Sequence, residues 1–127
     1  MIAWERQDME EDEEVQAPPY LENANVIASE LSLRTSDLSP VDVTQCIWAP
    51  GRLQIANEDV VQSFADRAKD LVPLMNSVEV SNILWGLAKA RHIDEELISK
   101  LTDRLTTDSL QVSPREAASA LYALGRM

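Results

Sequence analysis

Two sets of side chains in this sequence have the types and the spacing to hold a nucleic acid. Gln45, Asn82 and Ser119 are short hydrogen-bonding residues 37 positions apart, and Arg52, Lys89 and Arg126 are cations at the same spacing. An amide both donates to and accepts from a base edge, and a hydroxyl does the same. A guanidinium or ammonium group meets phosphate. Between each pair stands a small residue, Ala49, Gly86 or Ala123, which lets a ligand approach the backbone. Stacked at regular spacing, such triplets form a stripe that reads a base and clamps a phosphate once per unit. The same pattern is also what any exposed helix with a basic last turn shows, so both readings stay open at this point.

The other chemically capable residues point elsewhere. Asp42, Glu79 and Glu116 stand three positions after Ser39, Asn76 and Ser113, the spacing of a capping box, so these acids have a structural task. Trp48, Trp85 and Tyr122 recur with the same period. Aromatic rows at helical spacing serve packing first, with base stacking as the alternative. His92 is a lone histidine in a turn and reads as a solvent residue. Cys46 reads as a small core hydrophobe. No nucleophile, base and orienting acid share a recognisable spacing, and no glycine-rich phosphate loop or metal-ligand cluster is visible. The chain is therefore expected not to be an enzyme and to use no cofactor and no metal.

The elements that must carry the stripe follow from the same period. Residues 38–74 and 75–111 each read as helix, short turn, helix, and residues 112–127 as a first helix without its second. Residues 20–37 read as the second half of a degenerate unit. Ser39, Asn76 and Ser113 are expected N-caps, with Pro40 and Pro114 at the first helical position. The second helices are expected to begin at Asn57 and Asp94. Their inward faces read as Val60, Val61, Phe64 and Ala68, then Leu97, Ile98, Leu101 and Leu105. Asp66-Arg67 and Asp103-Arg104 fall opposite, facing solvent or a neighbouring unit.

Residues about 100° apart around each first helix divide it into arcs. The core arc holds Val43, Cys46, Ile47 and Pro50, then Val80, Ile83, Leu84 and Leu87, then Ala117, Ala120, Leu121 and Leu124. A small-residue arc pairs Thr44 with Gly51, Ser81 with Ala88, and Ala118 with Gly125, and suits close approach of an adjacent unit. The fold class is thus all-α, an α-α solenoid of antiparallel helix pairs with a 37-residue period. An array that stops with an apolar face uncovered is expected to be a fragment of a longer one, or to be closed by another subunit.

Composition limits the rest. The chain has 127 residues, enough for one modest core, and a net charge of −11. Residues 1–37 carry ten acids and two bases, whereas residues 38–127 carry twelve acids and nine bases. Residues 1–19 accordingly read as an acidic, mostly disordered segment. The charge argues against strong autonomous nucleic-acid binding, which usually shows a basic footprint. No apolar run is long enough to cross a bilayer, and no targeting signal is visible. The single cysteine forbids an intrachain disulfide.

The run from Asn76 to Lys89, Asn-Ser-Val-Glu-Val-Ser-Asn-Ile-Leu-Trp-Gly-Leu-Ala-Lys, followed by Asp94-Glu95-Glu96-Leu97-Ile98, resembles a known repeat class. It is similar to the helical repeats of organellar RNA-binding proteins, namely the octotricopeptide and heptatricopeptide arrays and the arrays of FAST-kinase-like and RAP-domain proteins. The similarity spans residues 38–127. It implies an α-solenoid that binds single-stranded RNA in a mitochondrion or plastid and supports RNA processing, mRNA stability or translation. It implies RNA contacts at Gln45, Asn82 and Ser119, with Arg52, Lys89 and Arg126 beside them. Pro50-Gly51 departs from the class, and a helix ending early there would misplace Arg52. The alternative is a protein-binding scaffold, whose partners are other proteins or further repeats of a longer chain.

Overall fold

Helices start in this chain where a short polar side chain takes over the backbone N–H groups that no earlier turn can satisfy. The computed structural model describes residues 18–54, 57–107 and 111–127. Most of the acidic 1–19 segment lies outside them. The described residues form six α-helices: α1 Leu21–Ser32, α2 Pro40–Leu53, α3 Glu58–Leu71, α4 Ser77–Ala90, α5 Glu95–Leu105 and α6 Pro114–Arg126. They are all-helical, with no strand among them.

The caps are the ones the spacing predicts. Ser39 Oγ accepts from the Asp42 N–H at 3.2 Å, and Asp42 Oδ2 accepts from the Ser39 N–H at 3.0 Å. Asn76 and Glu79 close the same reciprocal box at 2.8 and 2.9 Å. At α6 only the forward half forms, with Glu116 N–H donating to Ser113 Oγ at 3.4 Å. Asn57 and Asp94 cap α3 and α5 through the Val60 and Leu97 N–H groups. Each such cap contributes about 1 kcal/mol.

The helices pack in two rows. In one, α4 lies between α2 and α6; in the other, α3 lies between α1 and α5. The rows are joined by α2 against α3 and by α4 against α5. Val43, Ile47, Phe64, Val80, Ile83, Leu84, Leu87, Leu97 and Leu101 are all fully buried between them. Burial of each such side chain stabilises by about 1.5–3 kcal/mol.

Three expectations need correction. Pro50 does not end α2 early: the helix continues to Leu53, and Arg52 stays on it. Proline costs the Cys46 carbonyl its i+4 donor, but the buried ring fills the core, and the Gln54 N–H and side-chain amide both close the helix end on Gly51 O. Leu121 is 69% exposed rather than buried, because among the described residues no helix covers that side of α6. Arg67 and Arg104 do not face away. Arg67 donates to Leu38 O at 3.0 Å, and Arg104 donates to Met75 O at 3.1 Å. Each ties its own helix to the residue just before the N-cap of the preceding one.

Candidate functional site

The caps fix where each helix begins, and so fix which side chains of α2, α4 and α6 share a face. That face carries a groove of about 820 Å³, walled by Trp48 and Arg52 of α2, Asn82 and Trp85 of α4, and Arg115 and Ser119 of α6. The two indoles stack on each other, with centroids 5.7 Å apart and planes inclined by 28°. Trp48 remains 38% exposed, and Trp85 is half-buried. Tyr122 continues the row on α6, where Arg126 Nη1 donates to its hydroxyl at 3.1 Å and the guanidinium lies 5.8 Å from the ring centre. An aromatic surface bordered by guanidinium and amide groups can stack planar rings and hold anions.

The structure brings together only part of the expected stripe. Arg52, Asn82 and Ser119 line this one groove. Gln45 is exposed but lines a different hollow, between α1 and α2. Lys89 is 6% exposed, so its position is inside the packing rather than on a clamp face. Arg126 is exposed at the end of α6, engaged with Tyr122. The reason is the small-residue column between them. Gly86 does not open the backbone to a ligand: a Cβ there would meet Ile47 O at 2.7 Å and Trp48 Cα at 2.9 Å. Ala123 is fully buried as well. This column is the seat of the preceding helix in the row, not a solvent face.

Two features escaped the sequence reading. One is the position shared by Val41, Val78 and Arg115, on the outer face two turns before the aromatic row. Val41 and Val78 are 54% and 48% exposed. Their common spacing was visible, but they fall in the first turn, where the capping signal dominates. The other is a polar cluster between α3 and α5. Gln62 donates to Asp94 and to Asp66, both at 2.8 Å, and its carbonyl lies 2.8 Å from His92 Nε2. Lys69 meets Asp94 at 3.0 Å and Asp66 at 3.1 Å. The hydrogen bond that Lys69 donates to the Asp94 carboxylate holds its ammonium above the usual value, against the opposing effect of desolvation. Burial pushes the Asp94 carboxyl up, but Gln62, the Leu97 N–H and Lys69 together outweigh it and hold it below the ordinary carboxylate value. His92 is therefore a partner in a helix-pairing network rather than a solvent residue. Tertiary contact of this kind is invisible to a linear pattern, because Gln62 and Asp94 are 32 residues apart.

Cys46 lies half-buried on the α1–α2 hollow, and burial, then the nearby Asp42 carboxylate, push its thiol up to about 11. Among the described residues no group of three His, Cys, Asp or Glu side chains is placed to hold a metal ion. No described helix is long and apolar enough to cross a membrane. Comparison with known proteins returns nothing: no family model, no curated protein and no solved structure matches this chain significantly.

Proposed function

We propose that the chain is a segment of an α-α solenoid with a 37-residue repeat, and that it binds single-stranded RNA along the groove of α2, α4 and α6. Several recurrences support the repeat. Helices α2, α4 and α6 start at Pro40, Ser77 and Pro114, and α3 and α5 start at Glu58 and Glu95. The left-handed residues that close α2 and α4, Gln54 and Arg91, are in the same register. So are the bonds from Arg67 to Leu38 and from Arg104 to Met75.

The observation that carries the RNA reading is the stacked Trp48–Trp85 pair, accessible in a groove that also holds Arg52, Asn82 and Arg115. Unpaired bases stack on such rings, each contributing about 1–3 kcal/mol. Guanidinium groups meet the phosphates, and the Asn82 amide reads a base edge. Of the six residues first considered, Arg52, Asn82 and Ser119 belong to this surface, with Trp48, Trp85 and Arg115 added. Location in a mitochondrion or plastid, and a part in RNA processing or mRNA stability, rest on the family resemblance alone. A protein-binding scaffold is the second reading, favoured by the net charge of −11.

Titration of a labelled, unstructured RNA at low salt tests the proposal, with tryptophan fluorescence as a second signal. Binding should quench the indoles, and Trp48→Ala and Arg52→Ala should each weaken it about tenfold. Salt dependence should be shallow, a slope of about −0.7 for each phosphate neutralised. Undiminished affinity in both variants, or no binding by the parent chain at low salt, would reject the RNA reading in favour of the scaffold.

A further inference from the structure

A carboxylate is out of place in a groove that is to hold a phosphate backbone. Glu116 is half-buried and lines the groove that also holds Trp48, Trp85, Asn82, Arg52 and Arg115. Its charge repels the phosphates that the two guanidinium groups attract. Its counterparts in the proposed repeat, Asp42 and Glu79, are engaged elsewhere. Each returns its carboxylate to the N–H of its own N-cap residue, at 3.0 and 2.9 Å. The third box stays half closed. The Glu116 N–H donates to Ser113 Oγ at 3.4 Å, but the Glu116 carboxylate is not returned to the Ser113 N–H. The acid whose carboxylate is left over from capping is the one that lines the groove.

The neighbours of Glu116 define what it can meet. It stands one turn before Ser119 on α6, and Trp85 stands one turn after Asn82 on α4. Residues three apart share a helix face. Asn82 and Ser119 hold equivalent positions on these two adjoining helices, and both line the groove. Away from the indoles, the lining thus changes from aromatic rings to an amide and a hydroxyl, and then to the carboxylate. A planar base stacked on the indoles turns one edge toward these polar groups.

Stacking tolerates every base, so any selectivity must come from that edge. An ionised carboxylate only accepts, and its two oxygens match two N–H donors side by side. Guanine presents that pair on its Watson–Crick edge, the N1–H next to the N2 amino group, with the O6 acceptor following. Uracil sets its N3–H between two carbonyl oxygens, which a carboxylate repels. Adenine and cytosine each set one amino group beside an acceptor nitrogen. We propose that the groove selects guanine and that Glu116 determines the selection. The base stacks on the tryptophan pair, its N1–H and N2 amino group donate to the Glu116 carboxylate, and its O6 accepts from the Asn82 amide or the Ser119 hydroxyl. Arg52 and Arg115 hold the flanking phosphates. This proposal rests on the RNA reading above and adds a base preference to it.

Titration of the full chain with labelled short oligouridines, each carrying one central guanine, inosine, adenine or cytosine, tests this at low salt. The guanine strand should bind at least about tenfold more tightly than the adenine, cytosine and all-uridine strands. Inosine lacks the N2 amino group, so its strand should fall between. Glu116→Gln exchanges one acceptor oxygen for a donor, and the guanine strand should then lose most of its advantage. That variant keeps the backbone bond to Ser113 Oγ and should keep its helical circular dichroism. The comparison of guanine with inosine uses the unaltered chain and holds even if Glu116→Gln fails to fold. Guanosine monophosphate lacks the flanking phosphates and should compete at least about tenfold more weakly than the guanine strand. Equal competition would overturn the single-strand form of the proposal. Equal binding of all the strands, or a guanine preference that survives in folded Glu116→Gln, overturns the role of Glu116 and leaves the RNA reading standing. No binding of any strand by the parent chain removes both.

Discussion

Asp94 shows how much one side chain can coordinate. It caps α5 through the Leu97 N–H, accepts from Gln62 and pairs with Lys69, and its own side chain is only 8% exposed. A carboxylate lowered in the folded state stabilises it above the unfolded value, about 3.9, and that contribution is lost as pH falls through the lower folded value. Asp94→Asn keeps a cap but loses the ion pair, and should cost about 1.5–3 kcal/mol at neutral pH. Thermal melts should show the gap between parent and variant beginning to close below about pH 4 and vanishing only once pH has fallen through the lower folded value, where the Asp94 carboxyl is protonated in both states. A gap that persists unchanged in acid would contradict this account. Arg91 poses a separate residue-scale question. It is exposed and sits at a φ of 56°, where a side chain crowds the backbone. Its N–H and that of His92 close α4 on Ala88 O and Leu87 O. Glycine adopts this conformation without the clash, so Arg91→Gly should raise stability by about 1 kcal/mol in chemical denaturation, and a loss would show that the arginine side chain matters more than the backbone strain.

At the scale of helices, glycine has opposite meanings at two positions. On α4, Gly86 lets the α2 backbone approach, and an added methyl group would meet Ile47 O and C at 2.7 and 2.9 Å. Neither backbone atom can rotate away, so Gly86→Ala should force the helices apart and cost about 1–3 kcal/mol. On α6 nothing surrounds Gly125, so Gly125→Ala should instead stabilise the isolated chain, by at most about 1 kcal/mol, through helix propensity. Equal effects at the two sites in denaturant melts would refute the close-approach argument. Pro50 belongs to the same scale. As a local signal it argues for a helix end, yet the buried ring and the Gln54 closure carry α2 one turn further. That extra turn is what keeps Arg52 in the groove with Trp48 and Asn82.

Over the whole molecule, charge is the dominant unbalanced quantity. Twenty-two acids face eleven bases, and most of the excess falls before residue 38. Exposed pairs such as Arg34–Asp37, at 3.7 Å, contribute little and are screened by salt. Repulsion over the whole chain is screened too, and with so large an excess it should prevail. The midpoint of thermal unfolding should therefore rise with ionic strength at neutral pH. A midpoint that falls with salt would mean that specific pairs such as Lys69–Asp94 outweigh the general repulsion.

Helix starts, caps and most of the buried face could be read from residue order, because they depend on neighbours within one or two turns. Ser39 with Asp42 and Asn76 with Glu79 are complete within four residues, and the burial of Val43, Ile47, Val80 and Leu84 follows from spacing around one helix. The candidate site was legible only in part. Arg52, Asn82 and Ser119 fell where the spacing put them, but Lys89 went inside, Gln45 turned to another hollow, and the tryptophans proved to be the centre of the groove. A single helix has several faces of similar polarity, and spacing does not say which neighbour each will meet. Packing in three dimensions makes that choice: once α2 and α4 touch through Gly51 and Gly86, the face carrying Trp48 and Trp85 turns outward, and the small-residue column closes against a helix instead of a ligand.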